Sequence, residues 1–291
     1  VSDAILWSWH VWVTDEDINN VIEITNHQNV KYNFMPVNLG QCDGNTITYE
    51  ERSCKVKFIA GDQSKEITIK QLANVIATGS NAPFYQWGRK DPLYPSNGMG
   101  NTTKIWYDKE GIPSTANPMK GTFSAGNDCI KNCILNPNLM HNRYNGDYTY
   151  YNLWSADNKT TSANDNPVNK TIYDPCPVGF KLPASNAFTG FTTTGESVSS
   201  STQVNGTWSS SEKGWYFYTN SEKTQSIFFP ALGYRSYSTM RPGSIGTQGC
   251  FWSAHPVAKG NNYYLRTSSV DVQPTYMVDR GFGYALRPCQ D

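Results

Sequence analysis

The chain has 291 residues, enough for one large β-rich domain or two of average size. Charged side chains make up only 16% of it, and Lys plus Arg balance Asp plus Glu at 24 each, so no net basic field exists to hold the phosphates of a nucleic acid. No apolar run reaches the roughly eighteen residues that a membrane-spanning helix needs. Tyr, Trp, Asn, Ser and Thr are abundant, which is the habit of exported, sugar-facing or surface-displayed proteins.

In chain order, Ile5-Leu6-Trp7-Ser8-Trp9-His10-Val11-Trp12-Val13 is β-branched and aromatic, without Gly or Pro, and predicts a buried strand. Alternation places Trp7, Trp9, Val11 and Val13 on its core face and turns His10 and Trp12 the other way. The chain opens at Val1 without Met or a signal peptide, and we expect a targeting segment and an upstream domain to have been lost. Asp15, Asp17 and Asn19 copy the first ligands of a calcium loop, but Asn20 and Asn26 stand where Gly and Glu are required, so a polar turn is expected.

Residues 54–58 and 65–70 alternate like a hairpin across Ala60-Gly61-Asp62-Gln63. Pro83-Phe84-Tyr85-Gln86-Trp87-Gly88-Arg89 reads as a short helix or an aromatic turn. Residues 90–169 read as a long loop region with brief apolar islands such as Ile105-Trp106-Tyr107, either functional or a family insertion. Carboxylate pairs such as Asp108 and Glu110 read as solvated turn charges. The prolines of Asp174-Pro175-Cys176-Pro177-Val178-Gly179-Phe180-Lys181-Leu182-Pro183 predict a rigid corner. Residues 206–210, 215–218 and 226–229 read as strands, with a turn at 231–235. Strands are again expected from Phe251-Trp252, over 262–267 and 269–272, and from Gly283 to Arg287. This tail is read both as the last sheet of the fold and as the place where a partner is met.

The seven cysteines are Cys42, Cys54, Cys129, Cys133, Cys176, Cys250 and Cys289, an odd number that leaves at least one thiol free or paired between chains. In an oxidising compartment a Cys176–Cys289 bond would tie the chain end to the start of its C-terminal half. Buried, inert thiols are the alternative reading. Cys129 and Cys133 with His141 suggest a partial zinc site that lacks a fourth ligand, so a local disulfide or plain thiols are expected instead. No nucleophile elbow, zincin helix, phosphate loop or dinucleotide fingerprint occurs. Ser253 and His255 share a strand face, but no orienting acid or oxyanion hole is evident beside them. No catalytic residue, metal ligand or cofactor is assigned.

The ordered set Leu6 to Trp12, Phe34-Met35-Pro36-Val37-Asn38-Leu39-Gly40, Tyr85 to Pro92, Asp174 to Pro183, Phe229 to Arg235, Phe251-Trp252-Ser253 and Gly283 to Pro288 resembles the Fibrobacter succinogenes major paralogous domain family. That family is in turn similar to the formylglycine-generating-enzyme branch of the C-type lectin-like fold. The match covers nearly the whole chain. It implies an α+β, β-rich C-type lectin-like domain over residues 1–291, with twisted antiparallel sheets, few short helices, and a long loop insertion around 90–170. It further implies a disulfide near Cys176 and Cys289 and export to a bacterial surface, outer membrane or fimbrium.

On this resemblance the expected role is a non-catalytic adhesin module binding a host or dietary glycan or protein, with other fimbrial subunits as further partners. The expected contacts are Trp252, His255, Asn261, Asn262, Tyr263, Arg266, Tyr276, Asp279 and Arg280. There Tyr and Trp would supply stiff stacking area, and Asn, Asp and Arg directional hydrogen bonds. Trp252 and Tyr264 also suit a core. The triplets of calcium-dependent lectins are absent, and Cys250 with Cys289 does not reproduce the close-spaced copper pair of the oxidase relatives. The rival expectations are a structural pilus or envelope subunit and an enzyme of the formylglycine-generating kind.

Overall fold

A computed structural model describes residues 5–41, 47–76, 82–93, 106–107, 112–114, 122–123, 128–142, 150–157, 160–257 and 260–291. A hairpin of β1 (Ile22–Thr25) and β2 (Lys31–Phe34) comes first. Next is a ribbon in which β3 (Ile47–Tyr49) pairs with β6 (Asn74–Ile76), and β4 (Arg52–Ala60) pairs with β5 (Gln63–Gln71). Its two-residue loop needs the left-handed backbone that Gly61 adopts at φ 63°. The turn that follows β7 (Tyr85–Gln86) is closed by Gly88 at φ 84°.

The stretch expected to be loop contains the short strands β8 (Trp106–Tyr107), β9 (Pro113–Ser114), β10 (Thr122–Phe123) and β11 (Met140–His141), with helix α1 (Cys129–Leu135). After it come β12 (Phe180–Lys181), a 3₁₀ helix Ser185–Phe191, and a meander of β13 (Gly206–Ser209), β14 (Gly214–Tyr218) and β15 (Ser226–Pro230). Short β16 (Tyr234–Arg235) and β17 (Pro242–Gly243) lead to a second meander of β18 (Gly249–Pro256), β19 (Asn261–Thr267) and β20 (Val272–Asp279). The chain ends in β21 (Gly283–Tyr284) and β22 (Cys289–Gln290). The fold is therefore β-rich with several antiparallel sheets.

The C-terminal run stitches these sheets together. β22 lies between β2 and β12 in the order β1-β2-β22-β12, and β21 lies between β16 and β7 in the order β17-β16-β21-β7. Between them the Leu286 and Pro288 carbonyls accept from the Leu39 and Met35 N–H groups at 3.0 and 2.9 Å, and Trp252 N–H donates to Ala285 O at 3.2 Å. Two apolar clusters flank this run. One gathers Trp87, Trp154, Cys176, Leu182, Trp252, Tyr284 and Leu286, and the other Phe34, Phe188, Phe191, Phe217, Phe229, Phe251 and Cys289. The stacking of Phe191 on Phe217 at 3.9 Å between ring centroids marks the second as a phenylalanine core.

The first stretch corrects its expectation. Residues 5–13 form no strand, and Leu6, Trp9, Val11 and Val13 are exposed. The opposite side points inward: Tyr85 Oη and His10 Nδ1 are 2.9 Å apart, and Trp12 Nε1 donates to Gln41 O at 3.0 Å. No neighbouring strand pairs with this stretch among the described residues, so polar anchors set which face turns in. The strand expected over 269–272 is also displaced: Ser269 and Val270 lie in the bend before β20, which begins at Val272.

Candidate functional site

The proline corner is fixed by two polar hubs, the buried Asp174 and the half-buried Lys170. Asp174 accepts from the backbone N–H groups of Cys176 and Leu182 at 2.8 and 3.1 Å. Lys170 Nζ donates to the carbonyls of Cys176, Pro177 and Phe180 at 2.5 to 2.8 Å. Prolines supply no N–H, so side chains must organise this turn. It delivers Lys181 and Leu182 to one wall of an open groove of about 280 Å³. The groove is lined by Val30 and residues 31–33 of β2, by 165–168, by Lys181, Leu182 and Ala184, and by the last three residues of the chain.

Asp165 is the fixed point of the groove. Its Oδ1 accepts from Tyr32 Oη at 2.8 Å and Asn26 Nδ2 at 2.6 Å, and its Oδ2 accepts from Asn186 Nδ2 at 2.8 Å. Burial, followed by the bond to this carboxylate, pushes the Tyr32 phenol well up, so it stays a donor. On the rim, Asn33 Nδ2 donates to Gln290 Oε1 at 3.4 Å. Lys181 and Asp291 add one charge of each sign, while Val168, Leu182 and Ala184 supply an apolar floor. An aromatic ring, amides, an ammonium and carboxylates over such a floor suit a polar ligand.

Of the nine expected contact residues, six are taken up by the interior, which corrects their expected role. Trp252 donates from Nε1 to Tyr85 O at 2.8 Å and packs on Tyr264 and Tyr284. His255 Nδ1 accepts from the Ser185 N–H at 3.3 Å and lies 3.2 Å from the Ser185 hydroxyl, which holds the 3₁₀ helix against β18. Burial lowers its pKa to about 4, so the ring is neutral. Asn262 Nδ2 donates to His255 O at 2.8 Å, and Tyr263 Oη donates to Thr161 O at 3.2 Å. Asp279 Oδ1 accepts from Gly281 N–H at 2.7 Å.

Arg280 lies 4.0 Å over the Trp87 ring and donates to the carbonyls of Tyr150 and Asn261 at 2.6 and 3.2 Å. All six side chains are buried. Only Asn261, Arg266 and Tyr276 reach the surface, where the Arg266 guanidinium sits 5.7 Å from the Tyr276 ring and pairs with Asp271 at 2.8 Å.

The thiols are likewise internal. Cys176 and Cys289 stand as separate buried thiols, not as the expected bridge. They belong to different apolar clusters, and the Cys176 thiol is engaged by the Asp174 carboxylate. Burial pushes Cys176 well above the usual thiol range and Cys289 up to about 12. Cys129 and Cys133 are unbridged and hydrogen-bonded to one another, one turn apart on α1, in a small pocket shared with Arg89 and His141. Burial takes His141 down to about 3.

Among the described residues no group of three His, Cys, Asp or Glu side chains is arranged to hold a metal ion. Asp17 organises the polar turn expected near it, through Asn19 N–H at 3.0 Å. Ser253 Oγ donates to Tyr263 O at 3.0 Å, so Ser253 and His255 serve separate contacts. Cys42, Asp108 and Glu110 lie outside the described residues. Among the described residues no helix is long and apolar enough to cross a membrane.

The groove itself was missed by sequence reasoning, because its walls come from four distant segments. The one local signal is Asn164-Asp165-Asn166-Pro167, a turn-forming run. No family model matches the chain, and neither a curated protein nor a solved structure matches it.

Proposed function

We propose that the chain is a non-catalytic recognition module of C-type lectin-like architecture, exported to a bacterial surface or fimbrial tip, which binds a glycan or protein through the groove beside its last strand. The observation that carries this reading is the Asp165 hub, which fixes Tyr32 and its neighbours beneath an open groove. A pre-set polar wall avoids the ordering cost of flexible contacts, which favours a hydroxyl-rich ligand. The reading without catalysis draws support from the Ser253 and Ser185 hydroxyls and the Nδ1 atoms of His255 and His141, which serve structural bonds in the interior. The antiparallel sheets closed by the chain's last strand agree with the proposed architecture.

The test is a glycan and extracellular-matrix array, followed by calorimetry on any hit. Asn33→Ala and Lys181→Ala should each weaken binding about tenfold, as expected for losing one directional contact. Tyr276→Ala should leave it unchanged. Binding lost on Tyr276→Ala but indifferent to Lys181→Ala would move the site to the β19–β20 face, and no binding at all would remove the proposal. The exposed ribbon of β4 and β5 favours a second reading, a structural pilus or envelope subunit.

A further inference from the structure

The ribbon of β4 and β5 is the part of the described chain with least cover. From Arg52 to Gln71 every residue is exposed except Val56, which is half-buried. Among the described residues each strand pairs only with the other, which leaves two long edges with unpaired backbone groups. Register puts Cys54, Val56, Phe58, Ile67 and Ile69 on one face, and Lys55, Lys57, Glu66 and Lys70 on the other. A two-stranded ribbon wet on both faces is marginal in water, and a free edge is a template for another strand.

The two edges differ in what they accept. On β4, an antiparallel pairing with its own copy centred on Lys55, Val56 or Lys57 sets lysine opposite lysine, which is destabilising. On β5, the run Glu66-Ile67-Thr68-Ile69-Lys70 is complementary to itself when reversed. Centred on Thr68, it places Thr68 opposite its own copy, Ile67 opposite Ile69 of the second copy, and Glu66 opposite Lys70 of the second copy. Threonine pairs, β-branched pairs and opposite charges are each favourable across antiparallel strands. Glu66 already meets Lys55 at 3.0 Å and Lys70 meets Glu51 at 2.9 Å, but these pairs are exposed and contribute little, so they do not compete.

We propose that a second copy of this chain docks on the outer edge of β5, antiparallel about Thr68, giving a continuous four-stranded sheet across a two-fold axis. The inference is independent of the ligand-binding reading, because the ribbon contributes no residue to the groove.

Sedimentation velocity over a concentration series tests it. Wild type should dimerise reversibly. Glu66→Lys and Lys70→Glu should each weaken the dimer at least tenfold by opposing like charges. The double exchange should return it to within about threefold of wild type, as should mixing the two single variants. In a Cys42→Ser, Cys54→Ser background, Thr68→Cys should cross-link between copies in air, whereas Ser64→Cys should not. Thermal melts confirm that the ribbon variants keep their fold. A protein that stays monomeric at all concentrations and gives no Thr68→Cys cross-link overturns the proposal. So does a dimer indifferent to the charge exchanges.

Discussion

Replacing Arg287 with Met should be among the most damaging single changes in the chain. The guanidinium is buried and stacks 4.4 Å over the Phe229 ring. It donates to Asn38 Oδ1 at 2.7 Å, Met35 O at 3.2 Å, Pro36 O at 2.9 Å and Phe228 O at 2.7 Å. These partners lie in the loop after β2 and on the meander strand β15, so a side chain of the C-terminal run joins three parts of the fold. Burial lowers its pKa to about 9, which still leaves it charged at neutral pH. Four bonds to a charged donor at about 1.5 kcal/mol each give about 6 kcal/mol gross, and relief of desolvation returns about 2, leaving about 4 kcal/mol lost. At roughly 2–4 °C per kcal/mol, the melting temperature should fall by about 10 °C. Circular dichroism melts check this, and a guanidinium titration should show the midpoint falling with an unchanged slope. A shift below about 2 °C would refute the reasoning, since it would mean that the carbonyls find other donors or that the contacts are not formed.

Stability should fall with acid through two histidines. His255 and His141 have folded pKa values of about 4 and about 3, below the ordinary imidazole value, because burial disfavours the charged ring. Their contribution is therefore present above about pH 6.5 and is lost as the pH falls toward 4 and then 3. Melts from pH 7 to 4 should show the decline, and His255→Gln should flatten it. Thiol titration gives a second check: in Cys42→Ser, one thiol, Cys54, should react fast in the folded protein, and six should react after unfolding without reductant. Only four after unfolding would mean that a disulfide forms in solution. Gly190→Ala should loosen the groove, because the added Cβ would lie 2.4 Å from the Thr25 carbonyl and 3.2 Å from Asn26 Cα, next to the Asn26–Asp165 bond. Its melting temperature should drop by several degrees, on the order of 1–3 kcal/mol of overpacking.

What the sequence made legible was local. The β4–β5 hairpin follows from alternation around Gly61-Asp62, and the β13–β15 meander from short aromatic runs between turn residues. Residues 5–13 mislead because a strand needs a neighbour, and none pairs with them among the described residues, however suitable their own propensity. The expected rim misleads for a different reason. Asn262, Asp279 and Arg280 have the composition of a contact surface, but they are buried, and the Asn262 amide, the Arg280 guanidinium and Asp279 Oδ1 bond inside to the His255, Tyr150 and Asn261 carbonyls and the Gly281 N–H. Bonds from side chains to backbone atoms leave no trace in residue pattern, whether the partner is two residues away, as for Asp279 and Gly281, or 130 away, as for Arg280 and Tyr150. The groove is hidden for the same reason, since Asp165 meets Tyr32 and Asn26 across more than a hundred residues.

Hydrogen–deuterium exchange of the protein with and without its best array ligand tests the central claim most directly. The account predicts that added protection concentrates in peptides covering 30–33, 165–168 and 289–291, the walls of the groove. Protection confined to 264–277, or ligand recovered chemically altered, would contradict it.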